Sequence, residues 1–345
     1  QSISFDKSLD TWGFNIERRI QRNQETARWE NISRNQWFIQ TSRAGLLTNI
    51  PKFNYGIGLN IRPSLILDNT KLGNISSNLS FDPSIDISQR ISSNITASLT
   101  VNTDFAETEV DTRRTNLTRF PLFFPEKRSF FLEGSDIFEF GFGVGYRDNG
   151  LMPFFSRKIG LYQGVETPIL AGLKVNGRLG KTAFGALSIT NRETTINGEN
   201  LERTSMNVVR LRQNIFKESS IGFISTFGDP LGRNNSSTSG IDFIYQTTHF
   251  KRNKNFLVGI SAMHTNRNDL SGDKSAYTIK LDYPNDIWDI AMSYTHIGDA
   301  FDPSLGFVER KGINYWRAGI TYAPRPDWEW VRQMRNQFFT TYYTD

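Results

Sequence analysis

The chain has 345 residues, a formal net charge of +5, 37% hydrophobic residues and no cysteine. Low hydrophobicity argues against one large apolar core, yet 27 Phe, 11 Tyr and 7 Trp argue against disorder. No apolar run is long enough for a membrane-crossing helix, disulfides and thiolate chemistry are excluded, and the dispersed basic residues do not form a nucleic-acid surface.

The chain starts at Gln1 without an initiating Met or a signal peptide and reads as a mature or trimmed product. From residue 12 onward, apolar and polar residues alternate in segments of about ten. This predicts strands at 12–22, 36–44, 54–66, 75–88, 93–102, 169–178, 182–190, 205–215, 219–227, 239–248, 255–264, 276–283, 287–296, 313–322 and 334–343. In the fourth, Leu79, Phe81, Ile85 and Ile87 oppose Ser80, Asp82, Ser84 and Asp86. Period two puts these sets on opposite faces. The polar face carries Arg62, Arg90, Lys174, Arg178, Arg210, Arg212, Lys280 and Arg317, with Asp82, Asp86, Asp242, Asp282 and Asp289 to neutralise them across neighbouring strands.

Short and long connections alternate. Short ones lie near Gly180–Lys181, Lys217–Ser219, Lys251–Asn255 and Pro284–Asp286; long ones are Asn191–Thr204, Gly228–Ser239, Thr265–Ser275 and Ile297–Gly312. Bacterial barrels have short periplasmic turns, long external loops and an even strand number. The pattern therefore predicts an all-β, transmembrane, antiparallel up-and-down barrel of about sixteen strands, C-terminally truncated and with its N-terminus on the periplasmic side. A water-soluble β-sandwich also alternates and is the competing fold.

Aromatic pairs bracket the apolar face of three late strands: Tyr277/Tyr283, Trp288/Tyr294 and Trp316/Tyr322. Amphipathic rings favour headgroup level, so these are girdle candidates. Six residues span only about 15 Å at a ~40° tilt, less than the ~25 Å apolar band, so the strands run beyond some of the rings.

Residues 103–168 break the hairpin rhythm with a charged, Phe-rich insertion that leaves and re-enters the outer rim. A connection this long is usually functional. Asp104, Glu107, Glu109, Asp111, Arg113, Arg114, Glu126, Lys127, Arg128, Glu133, Arg157 and Lys158 supply a network that can hold a plug in the lumen or cap it, or bind a polar solute.

The stretch NTDFAETEVDTRRTNLTRFPLFFPEKRSFFLEG, with FFSRKIGL at 154–161 and DPSLGFVERKGINYW at 302–316, resembles an uncharacterised family of Bacteroidota-type bacteria. In that family a family-9-like carbohydrate-binding domain precedes an outer-membrane barrel. WGFNIERRIQRNQETARW resembles the junction between the two, which makes residues 1–11 a junction to an N-terminal periplasmic domain and 12–345 the barrel. The resemblance implies fold and location and carries no activity.

Catalysis has little to build on. Three histidines, His249, His264 and His296, continue the outward face, and no HExxH motif occurs. A rim hydrolase with a Ser–His–acid relay acting on lipid or glycan stays as an alternative. Neither a metal nor a cofactor is expected. The favoured reading is a non-enzymatic pore or a component of an envelope transport or assembly complex, with a plugged scaffold subunit as the second. Its partners are outer-membrane lipid and lipopolysaccharide, other envelope proteins and a polar or glycan solute.

Overall fold

The computed structural model describes residues 9–30, 33–51, 56–70, 78–102, 115–117, 120–141, 151–162, 165–196 and 198–345. Thirteen predicted strands form, and all join one antiparallel sheet. They are β1 (Leu59–Thr70), β2 (Asn78–Ser92), β3 (Ile95–Val101), β4 (Ile169–Leu179), β5 (Thr182–Asn191), β6 (Ser205–Ile215), β7 (Ser219–Phe227), β8 (Ser237–Phe250), β9 (Lys254–Asn266), β10 (Ser275–Pro284), β11 (Trp288–Ile297), β12 (Ile313–Tyr322) and β13 (Asn336–Thr344). Each pairs with its neighbours in sequence, so the sheet is a meander. Its edges are β1 and β13, and among the described residues they do not pair with each other. The structure thus shows thirteen strands in an open sheet where about sixteen in a closed barrel were expected.

The first two predicted strands are not part of this sheet. In 12–22 the chain folds back through a 3-10 turn at Gln21–Asn23, closed by Gln24 in the left-handed region at φ 51°. Glu17–Ile20 then pairs with Glu25–Arg28, and Trp12–Phe14 pairs with Gly45–Leu47. In 36–44 the backbone is satisfied locally: the Trp37 amide donates to Gln40 Oε1, and Thr41–Arg43 is a 3-10 turn. Alternation alone does not distinguish a short hairpin from a sheet strand.

The loop pattern divides the sheet into two ends. Connections 93–94, 180–181, 216–218, 251–253 and 285–287 lie at one, and 102–168, 192–204, 228–236, 267–274 and 298–312 at the other. The segment 323–335 is a long connection at the short-turn end. There too, the N-terminal segment docks through buried Asn35. Its side-chain oxygen accepts from Lys254 Nζ at 3.4 Å and the Asp286 amide at 3.1 Å, and its carbonyl accepts from Asn255 Nδ2.

At several positions the sheet buries charge and exposes the apolar neighbour. Lys174 is 2% exposed while its neighbour Leu173 is 50% exposed. Arg210 is 1% exposed beside Leu211 at 46%, and Asp242 is 2% exposed beside Ile241 at 60%. The buried face is covered by part of the insertion, mainly residues 120–141 and 151–162. Phe130, Phe131, Phe138 and Ile159 pack there with Ile169, Leu187, Ile189, Met206, Val208 and Ile224 near the long-loop end. A second cluster joins Met263, Ala276, Ile297, Phe301, Ile313 and Tyr315, with Phe140 bridging the two.

Candidate functional site: a segment packed on the charged face

Glycines in the wall make room for the rings of this inner segment. A Cβ on Gly185 would lie 2.7 Å from Phe138 Cζ, and one on Gly240 would lie 2.9 Å from Phe140 Cζ. At Gly172 it would meet Thr100 at 2.9 Å and Phe130 Cζ at 3.4 Å. Glycine inside a strand commonly marks such close approach. The sequence reading missed these positions, although three glycines at strand-interior sites were the available signal.

Polar contacts fix the same segment to the wall. Lys174 on β4 donates through Nζ to the main-chain carbonyls of Phe130 and Glu133, the latter at 2.6 Å. These carbonyls lie within and just after the one-turn helix α1 (Ser129–Leu132), so the ammonium ties its backbone to the sheet. Arg178 pairs with Asp136 at 2.8 Å, and Arg62 donates to the Ser129 hydroxyl. On the wall itself Arg62 pairs with Asp86 at 2.7 Å, Lys280 with Asp282 at 2.8 Å, and Arg210 with Asp242 at 2.5 Å. Arg210 reaches Asp242 across Gly222 of β7, and its guanidinium lies 5.4 Å from the Phe140 ring centroid.

The predicted insertion charges separate into groups. Asp104, Glu107, Glu109, Asp111, Arg113 and Arg114 lie outside the described residues. Glu126 and Arg128 stitch the insertion to itself. Arg128, 1% exposed, donates to both Glu126 oxygens at 2.9 and 2.7 Å, to the Ile159 carbonyl at 2.8 Å and to the Ser156 carbonyl at 2.9 Å. Its guanidinium stacks over Phe131. Burial alone would raise the Glu126 carboxyl, but hydrogen bonds and charge from Arg128, with the Ser156 hydroxyl, outweigh it and hold the group below the usual range. Arg157 donates to the Pro125 carbonyl at 3.2 Å. The amide of Lys127 donates to Glu126 Oε1. Glu133 meets the wall through its carbonyl. Lys158 forms no ion pair among the described residues and stands in the combined field of Asp302, Arg233, Lys311 and Asp229. The attachment to the wall is therefore an aromatic core with a few cationic anchors, and Glu126, Arg128 and Arg157 brace the insertion internally.

A polar knot joins the insertion to the long loops. Leu151–Met152 pairs with Phe307–Val308, and the Phe155 amide donates to the Leu305 carbonyl at 2.7 Å. Phe123, Phe155 and Phe307 cluster around that junction. Beside it, buried Ser304 donates to Asp229 at 2.6 Å, and Arg267 and Lys311 each bind Asp302 at 2.7 Å. Burial would raise Asp302, but hydrogen bonds from Lys311 and Arg267 overcome this and bring its carboxyl down to about 2.

The girdle candidates fall into two rows on the exposed face. Trp288 stacks on Tyr322 at 4.4 Å near the short turns, with Tyr283 at the same end. Tyr294 packs on Trp316 at 4.2 Å nearer the long loops, with Tyr277 5.9 Å from Tyr294. Ile279, Leu281, Ile290, Met292, Ala318 and Ile320 lie between the rows on the same face.

The histidines do not assemble a relay. His296 engages Asp273 through Nε2 and Asn314 through Nδ1, both at 2.7 Å. The Ser275 hydroxyl donates to Asp273, not to the imidazole. Opposite His264 in register stand Ser239 and Ser275, and no hydrogen bond reaches its ring among the described residues. His249 is the penultimate residue of β8, 3.7 Å from Glu218.

A known family profile matches residues 59–345, from the first residue of β1 to the last residue of the chain. The chain belongs to the DUF5916 family, described as a domain of unknown function. No curated protein matches it. The DUF5916 match takes in the whole thirteen-stranded sheet and the insertion, and leaves the docked N-terminal segment outside.

Proposed function

We propose that this chain is a non-enzymatic, membrane-spanning β-barrel of a bacterial outer membrane, with 120–141 and 151–162 as a plug on its polar inner face. We place the short turns and the docked N-terminal segment in the periplasm. The observation that carries this reading is the inverted sheet: charged Lys174, Arg210 and Asp242 are buried next to exposed Leu173, Leu211 and Ile241. In water the opposite arrangement is favoured, since exposed apolar surface costs about 25 cal/mol per Å2 and buried charge far more. A soluble monomer rarely exposes an apolar patch above about 600 Å2, whereas lipid solvates such a face. The two aromatic rows bordering the aliphatic band add independent support. The plug makes the resting barrel closed to large solutes, so its role is as a gated pore or as a subunit of an envelope transport or assembly complex, with lipopolysaccharide and envelope proteins as neighbours and a polar or glycan molecule as solute.

Because the chain has no cysteine, single thiols can be placed at will. With bimane on Ile279→Cys, the reconstituted protein should be strongly quenched by brominated acyl chains, and with bimane on Ser293→Cys it should not. Equal quenching at both positions, or a monodisperse protein without detergent, refutes the membrane reading. In planar bilayers, deleting 103–168 should raise conductance well above the parent; silence after that deletion removes the pore role. Stable co-purification with envelope proteins then identifies the scaffold role.

A further inference from the structure

The plug does not seal the inner face evenly. Across β1 to β4 the inward residues align in two cross-strand rows. One row is Arg62, Asp86, Thr100 and Gly172, where Arg62–Asp86 and Thr100–Asp86 hydrogen bonds fill the space. The other is Asn60, Ser88, Ser98 and Lys174. Three of these four side chains are small, and Lys174 bends away to the carbonyls of Phe130 and Glu133. Short side chains below and a one-turn helix above leave a gap. It is a crevice of about 100 Å3 lined by Asn60, Arg62, Asp86, Ser88 and Ser98 with the aliphatic Ile87 and Leu99 and, from the plug, Ser129, Phe130 and Glu133.

A second observation bears on what occupies it. Ser98, 4% exposed, has a hydroxyl with no hydrogen-bond partner although it borders the crevice. A buried hydroxyl left unpaired is destabilising, and a solvent molecule relieves that penalty. Asn176 Oδ1 is also buried without a partner. It lies two residues beyond Lys174 on the same face of β4, toward the short turns, and its side chain packs against Gly134 of the plug.

We propose that this crevice between the plug and β1–β3 is a water-filled site for small hydrated ions, and the route by which they pass the closed plug. This rests on the barrel reading above. The volume holds a small cluster of waters or one hydrated ion. The paired Arg62 and Asp86 of the wall, with Glu133 of the plug, present both signs of charge, so the route discriminates weakly between small cations and anions.

The test uses the full chain in proteoliposomes. A thiol from Ser98→Cys, nearly isosteric with the hydroxyl, should react with a small charged methanethiosulfonate at least tenfold faster than one from Ser261→Cys. Ser261 is equally buried, at 4% exposed, but borders no such crevice. In planar bilayers the parent should show a small steady ion conductance, and Ser88→Trp should lower it at least fivefold. Equal labelling of the two thiols, or an inserted parent with no conductance, overturns the proposal, as does unchanged conductance in Ser88→Trp. If Ser88→Trp does not fold, the labelling comparison alone decides. Failure of the barrel reading looks different: the Ile279→Cys probe is then not quenched by lipid, whatever happens at Ser98.

Discussion

Gly222→Ala tests whether the buried charge pair beneath the plug depends on a missing side chain. The added Cβ would stand 2.5 Å from Asp242 Oδ1 and 2.6 and 2.9 Å from the two terminal nitrogens of Arg210. Those groups are bound to each other at 2.5 and 3.0 Å and are 2% and 1% exposed, so neither has room to swing into solvent. Either the pair separates or β7 leaves its register with β8. Removing one partner of a buried pair costs about 3–5 kcal/mol because the other charge is left uncompensated, and separating the two leaves both in that state. Arg210 also lies against Phe140, so the plug should loosen in the same variant. The assay is urea unfolding in detergent micelles for the parent and Gly222→Ala, repeated in a background carrying Arg210→Met and Asp242→Leu. The expected result is a loss of several kcal/mol in the first background and under about 1 kcal/mol in the second, where no pair remains to break. A small loss in the first background, or equal losses in both, refutes the reasoning.

The same geometry yields further tests. Gly185→Leu places a side chain where Phe138 Cζ now lies 2.7 Å from the Cβ position, so it should expel the plug, raise conductance and expose 120–162 to protease. Lys174→Met removes both anchors to the Phe130 and Glu133 carbonyls and should weaken plug attachment by about 2–3 kcal/mol, read as faster proteolysis of the insertion. Ile241→Lys, on the exposed face, should destabilise the bilayer-inserted protein by about 2–4 kcal/mol in refolding titrations into vesicles; an effect near zero speaks for water at that face. Asp302 sits at about 2 when folded, against an ordinary value of 3.8, so its ion pairs contribute stability that is complete above that ordinary value and is lost as pH falls toward 2. With one third of the side chain exposed, screening limits this to about 1–2 kcal/mol, and Asp302→Asn should flatten the acid limb of the stability curve by that amount.

The strands were legible because a sheet with one apolar and one polar face writes period two into every segment, from Ile85/Asp86 to Ile320/Thr321. Loop lengths then gave the two ends, and Trp288 with Tyr322 shows why the two aromatic rows could be read: the spacing of six along antiparallel neighbours brings the rings into register. Alternation failed at 12–22 and 36–44 because it reports which way a side chain points, and not whether the next strand is there to accept the backbone hydrogen bonds.

The plug interface was hidden for a different reason. Charges such as Glu126 and Arg128 stand out in a sequence, so they suggest themselves as the link to the wall, yet they satisfy one another within the insertion. What meets the wall is a set of phenylalanines, and what receives them is the absence of side chains at Gly172, Gly185 and Gly240. Each of these glycines alone reads as a weak point in a strand. Taken with the Phe-rich insertion, they become complementary: rings without a core of their own, and strands with gaps facing inward. The logic extends to Gly222, where the gap admits an ion pair in place of a ring. It extends also to Ser88 and Ser98, where small polar side chains border a crevice. The inner surface of this sheet is therefore patterned by side-chain size as much as by charge. The glycines take the rings of the insertion, and on the reading proposed above the small polar positions leave a path beside it.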